Sequence, residues 1–345
     1  MKQINLSLKY IFAFITDTVI HTYLILISYL IIYDRIIIQN RFPEFQWKIL
    51  LYCLLAGLCI ATLLFFIKNF SYGKYYQKIS PPILNKPFYL KPYVLIAALV
   101  VVFTIITGIV VTEISIKEFF SKQGIRGAQR IFGEMMNPNF SIIKPALFAA
   151  VETIYMAFMA TLIAIPFAFI LSFFAARNLM NSNGFLLSIY SFVRLIMNFS
   201  RSIEALVWAI IFSVWVGIGP FAGMLALMLH SVVSLVKLYS EQIENIDNGP
   251  MEAMKATGAH HILVVWYGVV PQIIIPFLSF TIYRWDINVR MATIIGLVGG
   301  GGIGTMLIQY QGLAKWREVG LIVLVIAIIV WLMDYASAKI RERIK

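Results

Sequence analysis

Long uncharged stretches dominate the chain. Nineteen uncharged residues separate Lys48 from Lys68, 21 separate Lys91 from Glu113, and 24 separate Glu152 from Arg177. About 20 apolar residues cross a bilayer as a helix, so each stretch predicts one spanning helix. A further span over about 12–33 is interrupted by Asp17. The 32-residue run from Ala205 to Val236 is broken by Gly217-Ile218-Gly219-Pro220, which predicts two helices joined by a tight turn. Segments near 261–284, with Pro271 and Pro276, and near 318–336 bring the expected count to eight. Residues 115–135 predict a short amphipathic helix lying outside the membrane.

Composition agrees with this pattern. Of the 345 residues, 61% are hydrophobic and 13% charged, against roughly 45–50% and about 25% in soluble domains. A soluble enzyme and a secreted disulfide scaffold are excluded, and the fold class is an all-α polytopic membrane protein. Cys53 and Cys59 sit in one apolar segment and make neither a disulfide framework nor a metal cluster. The net charge of +12 is read against the membrane rather than as a sign of nucleic acid. Lys68, Lys74, Lys78, Lys86 and Lys91 fall between spans with no acid among them, and Lys339, Arg341, Arg343 and Lys345 close the chain. Basic residues favour the cytoplasm. Six spans lie between these two clusters, so both fit inside, and both termini are expected there. The external 113–146 loop, with five basic and three acidic residues, fits less well. The linker from Ser71 to Pro92 divides the chain into 1–92, a two-helix extension with a basic linker, and 93–345, a six-helix domain.

Phosphate chemistry leaves no trace. The one Gly-Lys pair, Gly73-Lys74, lacks a glycine five residues earlier, so no phosphate-binding loop is present and ATP hydrolysis would fall to a partner. Gly299, Gly301 and Gly304 fit G-x-G-x-x-G. They lie between membrane segments without a strand–helix–strand context, and so predict close helix packing or a backbone bend. No metal or catalytic constellation is found, and no cofactor is expected.

Asp247-Asn248-Gly249-Pro250 reads as a helix start, with capping side chains and then proline. Met251 to Thr257 would be helical, and Gly258 a C-terminal stop. A two-turn helix between two spans is marginal alone. It either docks in a groove of a cytoplasmic partner or only reverses the chain.

Glu252-Ala253-Met254, Gly258 and Pro271 resemble the EAA loop of ABC importer permeases, with Met254, Gly268 and Val270 departing from its pattern. Residues 93–345 more specifically resemble the phosphonate ABC transporter permeases. The resemblance rests on Glu204–Ala209, Val216–Gly223, Ile243–Asp247, Tyr283–Arg290 and the Gly296–Gly304 stretch. It implies a type I ABC importer permease core for phosphonate, phosphate or phosphite in a bacterial inner membrane. It also implies a second permease copy, as a homodimer, ABC ATPase subunits that bind the ATP, and an external substrate-binding protein. Glu252, Ala253 and Gly258 carry over as ATPase-coupling positions.

Intramembrane ionisable residues are functional candidates, since an arginine at mid-bilayer costs at least ~2.5–3.5 kcal/mol. On this topology Arg284, Asp286, Asn288 and Arg290 fall just past the external end of a span. They form either a cationic mouth for an oxyanion or a network bracing a turn. His230 is either a pathway residue or an interhelical hydrogen-bond partner. Arg194, Asn198 and Arg201 share a helix face expected near lipid headgroups, with Glu204 one turn on from Arg201. Two rivals remain at this point: a type I permease for another solute, and a secondary transporter working alone, which predicts paired broken helices.

The lysine distribution makes the orientation testable. Single cysteines at 74–91 should resist an impermeant thiol reagent in intact cells, whereas cysteines at 120–130 should react. Labelling of the first group from outside would reverse the topology.

Overall fold

The computed structural model describes residues 2–29, 47–66, 71–77, 79, 91–181 and 183–344. Among these residues every regular element is a helix. The chain divides into two compact units, Met1–Gly124 and Ile125–Lys345.

In the first unit, α1 (Lys2–Tyr29) pairs with α2 (Trp47–Phe66). The pair is close at Gly57, where a Cβ would come within 2.7 Å of the Thr22 backbone nitrogen. Asp17, which interrupts the first apolar run, is buried. Its two oxygens accept from the Ser71 hydroxyl at 2.5 Å and the Gly73 amide at 2.8 Å. The short α3 (Tyr72–Tyr76) is thereby seated on α1. Lys74 donates to the Phe65 carbonyl at the end of α2 and lies over the Phe65 ring. Next comes α4 (Pro92–Val111), which the sequence groups with the larger domain. It packs on α1 within this unit, where Tyr23 and Thr104 share a 2.8 Å hydrogen bond. One turn, α5 (Ile116–Phe119), follows, and α6 (Lys122–Met135) is the expected amphipathic helix, with no buried residue. Most of the basic linker, including Lys68, Lys78 and Lys86, lies outside the described residues.

The second unit begins with a single 3₁₀ turn and the long α7 (Ile143–Phe174). Ala146, Ala150, Ala157, Ala160, Ala164 and Ala168 form a fully buried stripe along it. Such small residues let helices approach closely where lipid supplies no hydrophobic drive. Then come α8 (Arg177–Met180), α9 (Gly184–Arg201), α10 (Ala205–Val216) and α11 (Pro220–Glu244). They are followed by α12 (Asn248–Ala256), α13 (His261–Val264), one π-helical turn over Val265–Val269, and α14 (Val270–Gly296). Last are α15 (Gly302–Gly312) and α16 (Trp316–Ile344). The most extensive packing joins α7 to α11, and α14 packs on both.

The expected count of eight spans is not reached among the described residues. Six helices are long and apolar enough: Ser7–Tyr29, Trp47–Phe66, Phe140–Phe174, Pro220–Glu244, His261–Gly296 and Trp316–Ile344. A seventh arises only if α9 and α10, bent by 89° at their junction, count as one. The sequence reading gave 205–216 a span of its own. At about 1.5 Å per residue its 12 residues rise about 18 Å, well short of a hydrocarbon core of about 30 Å. The break at 202–204 therefore leaves a helix end inside the bundle.

The glycine cluster is a packing device, as the sequence implies. A Cβ on Gly296 would lie 2.7 Å from Gly304 Cα, and one on Gly304 would run into the Thr293 carbonyl. Gly301 and Gly302 adopt φ of +81° and +69°, a region that disfavours side chains. They deliver α15 to α7, where Glu152 and Thr153 accept the Gly302 and Ile303 amides at 3.2 and 2.9 Å. Gly304→Val should therefore lower the melting temperature and the monodisperse yield in detergent. Gly312→Ala, where a Cβ meets nothing within 4 Å, should leave both near wild type. Equal melting of the two variants would refute this packing role.

Candidate functional site

Two groups of residues singled out by the sequence lie at different levels of the second unit, joined by α14. The first is α12. Asp247 is its N-cap and accepts the Gly249 amide at 3.0 Å, as the capping pattern requires. The chain leaves the helix through Gly258 at φ +74°, the left-handed stop that glycine favours. Met251 is buried and Met254 packs on the same cluster, which fixes the helix to the bundle. Glu252 and Ala253 are exposed on the outer face.

The start of α12 is clamped to α14. Gln272 accepts the Asp247 amide at 3.1 Å and donates to the Asp247 carbonyl at 3.2 Å and the Gly268 carbonyl at 2.6 Å. Gly268 makes this possible, since a Cβ there would sit 3.1 Å from Met251 Cα. Leucine-sized replacements of this position in an EAA-type pattern would not fit so close an approach. The π turn lies at this junction; such turns frequently mark functional sites. Above it Tyr239 of α11 stacks on Phe277 of α14, with centroids 3.7 Å apart and planes 6° apart. The Gln272 bonds and this stack tie α12, α11 and α14 together at the junction.

The second group is a polar layer. Asn288 Nδ2 donates to Thr161 of α7 at 2.8 Å and to Ser231 of α11 at 2.7 Å. Arg284 Nε donates to the same Ser231 hydroxyl at 3.2 Å. Arg284 is 6% exposed and Asn288 is fully buried. Three helices therefore meet on one hydroxyl. On the opposite side of α14, Arg290 donates to Asp286 at 2.7 Å and to Asp334 of α16 at 2.5 Å. Asp286 is buried, whereas Arg290 and Asp334 are about half exposed.

This corrects the placement expected for Arg284, Asp286, Asn288 and Arg290. They do not lie in a turn past the end of a span: α14 runs unbroken from Val270 to Gly296. The signal was available in their spacing. Positions 284 and 288 lie one turn apart on one helical face, and 286 and 290 on the opposite face. That is the pattern of a helix contacting neighbours on both sides.

His230 precedes Ser231 on α11, and its Nδ1 is buried without a hydrogen-bond partner. Arg194 does not reach outward as expected. It donates to Glu244 at 2.7 Å and to the Ala175 carbonyl at 2.9 Å, tying α9 to the ends of α11 and α7. The Glu244 carboxylate also accepts the Arg177 amide at 2.8 Å, which holds the start of α8 in place. Glu204 is the N-cap of α10, and its charge acts on Arg284 and His230. Sequence reasoning placed Glu204 only beside Arg201 and missed that role because Arg284 and His230 lie 80 and 26 residues away in the chain. Among the described residues no group of three or more His, Cys, Asp or Glu is placed to hold a metal ion.

Residues 168–338 match the family described as binding-protein-dependent transport system inner membrane component. That stretch contains α12 and the α11 and α14 residues of the polar layer. The chain is 36% identical over 222 residues to the phosphite transport system permease protein PtxC of Stutzerimonas stutzeri, covering 64% of this chain and 79% of that protein. It is 33% identical over 215 residues to the phosphate-import permease protein PhnE of Mycolicibacterium smegmatis, covering 62% and 40%. It is 39% identical over 119 residues to the cryptic phosphonate transport system permease protein PhnE2 of Escherichia coli, covering 34% and 98%.

The Arg290 bridge is a testable brace. Arg290→Gln leaves Asp286 buried with no cation beside it, which should destabilise the chain by about 2 kcal/mol. That is below the 3–5 of a fully buried pair because Arg290 is half exposed. Thermal melting in detergent should show the loss, and adding Asp286→Asn should restore much of it. Unchanged melting of the single variant would remove the bridge as a structural element.

Proposed function

This chain belongs to the binding-protein-dependent transport system inner membrane components, the permeases of ABC transport systems, and from that premise we propose that it imports a phosphorus oxyanion. The substrate class is phosphite, phosphate or phosphonate, the compounds named for the three relatives above. The chain is the non-catalytic membrane subunit. Two ATPase subunits bind and hydrolyse ATP, a second copy of this chain completes the pathway, and an external binding protein delivers the substrate. The seat of this assembly is the bacterial inner membrane, with both termini cytoplasmic.

The observation that carries the mechanism is the clamp between α12 and α14. Glu252, Ala253 and Gly258 form the surface offered to the ATPase. Closure of the ATPase subunits moves α12, the Gln272 clamp moves α14, and the polar layer of Arg284, Asp286, Asn288 and Arg290, with His230 beside it, changes its exposure. That is alternating access driven from the cytoplasmic end. Among the described residues α9–α10 is one bent pair with no second, unlike the paired broken helices expected of a secondary transporter, which favours the ATP-driven reading. Residues 1–124 form a separate helical unit, in which Asp17 seats α3 on α1.

Uptake of radiolabelled phosphite, phosphate and methylphosphonate by proteoliposomes holding the reconstituted complex tests this reading. ATP-dependent accumulation of at least one is expected. Gly258→Pro, which forbids φ +74°, and Glu252→Lys should each reduce it more than tenfold while leaving the chain inserted. Accumulation of none of the three would overturn the substrate class. Wild-type transport by both variants would overturn the coupling surface.

A further inference from the structure

The junction of α9 and α10 leaves a helix N-terminus inside the second unit. Antiparallel packing of α10 on α11 sets it level with the polar layer: 12 residues lead from Ala205 to the turn at 217–219, and Ser231 lies 11 residues beyond Pro220. An N-terminus carries bare amides and a partial positive charge, and half-helix ends at mid-bilayer point at anionic groups in other transporters. Glu204 caps α10 by position only, because its side chain makes no bond to the helix amides. The Val207 and Trp208 amides are spent on the Glu204 carbonyl, which leaves those of Ala205 and Leu206 available.

A second and independent observation points to a ligand. Arg284 is 94% buried by complement of its 6% exposure, yet its Nη2 has no hydrogen-bond partner. One face of this guanidinium is spent on Ser231; the other is not. Among the charges acting on Arg284, Glu204 is the foremost, but the two do not close into an ion pair. Trp208, one turn along α10 from Glu204, likewise keeps its buried indole N–H unpartnered. Unspent donors in an apolar interior cost stability, and here three kinds converge: amides, guanidinium and indole.

A carboxylate among these donors decides what kind of anion fits. It would repel a fully ionised anion. It would accept a hydrogen bond from an anion that still carries a proton. The phosphate dianion still keeps one P–OH, and phosphite keeps its single P–OH only up to a last ionisation at about pH 6, as for a phosphate monoester. Sulfate carries no such proton. We propose that Glu204, Arg284, Trp208 and the N-terminal amides of α10 form a transient seat for a protonated phosphorus oxyanion, with Glu204 accepting the P–OH hydrogen and so rejecting sulfate. The proposal rests on the phosphorus-oxyanion reading above and adds where in the chain that anion is discriminated.

The test uses the purified full-length chain in detergent, titrated at constant ionic strength with inorganic phosphate, phosphite and sulfate. Trp208, within the seat, supplies the fluorescence signal. Phosphate and phosphite should give saturable changes, and sulfate none. Phosphite binding should weaken as pH rises through its last ionisation, whereas phosphate, whose dianion keeps a P–OH, should remain bound. Glu204 is exposed and its side chain makes no hydrogen bond, so Glu204→Gln should fold normally. It should lower phosphate affinity about tenfold, flatten that pH dependence, and admit sulfate as well as phosphate. Arg284→Lys, which keeps the charge but not the fork, should abolish the response to every anion. The proposal is overturned by an equal response of the wild-type chain to sulfate, by no saturable response to any anion, or by a phosphate-to-sulfate ratio unchanged in Glu204→Gln. Each of those outcomes, with phosphorus compounds still accumulated by proteoliposomes, leaves the importer reading standing. Absence of accumulation removes that reading independently.

Discussion

A single serine hydroxyl, Ser231 Oγ, is the point on which the second unit is registered. It accepts from Arg284 and Asn288 of α14, and Asn288 reaches on to Thr161 of α7. Within hydrocarbon there is no water to satisfy a side chain that is left out, so a slip of any of the three helices would strand an amide or a guanidinium. Individual interhelical hydrogen bonds in membranes are modest, about 0.6 kcal/mol on average. What makes this set decisive is that the bonds share atoms and cannot be broken one at a time. The alanine stripe of α7 and the Gly296–Gly304 contact then bring the helices to the distance that such short side chains can span.

Transmission follows from the same registration. Because α14 is held at mid-length by Ser231 and Thr161, and at its start by Gln272, it moves as a stiff member between two fixed points. The Tyr239–Phe277 stack prevents slippage between them. The π turn at 265–269 places the compliant element at the foot of this lever, beside α12, and away from the polar layer. In the proposed mechanism, a signal entering at Glu252 would arrive at Arg284 and Arg290 as a displacement of one helix, whose two polar faces contact α11 and α16.

The two faces of α14 are satisfied to different degrees. Arg290 is fully occupied by Asp286 and Asp334, a brace between α14 and α16. Arg284 and Asn288 fix the helix while leaving atoms unspent, next to a helix end that is likewise uncapped. A fold selected for stability alone would have closed those positions with apolar residues, which are often neutral or better than buried ionic groups.

The sequence by itself determined the class of structure, most of the long spans and the short helix α12. Those depend on local physics: uninterrupted apolar length, an Asp247 cap, a proline at the first turn, and a glycine able to adopt positive φ at 258. The family was legible too, through Glu252, Gly258 and the 283–304 stretch. What only the tertiary structure decided was where the polar residues point. The polar Arg201-Ser202-Ile203-Glu204 boundary is visible in the sequence, but the 89° bend there, and with it the role of Glu204, emerges only from the packed helices. Arg284 to Arg290 looked external because a bilayer refuses isolated charges. They are internal because Ser231, Thr161 and Asp334, at positions 53, 127 and 44 residues away in the chain, supply the partners that make burial tolerable. Partners so distant in sequence carry no local signature; they exist only once the helices have packed.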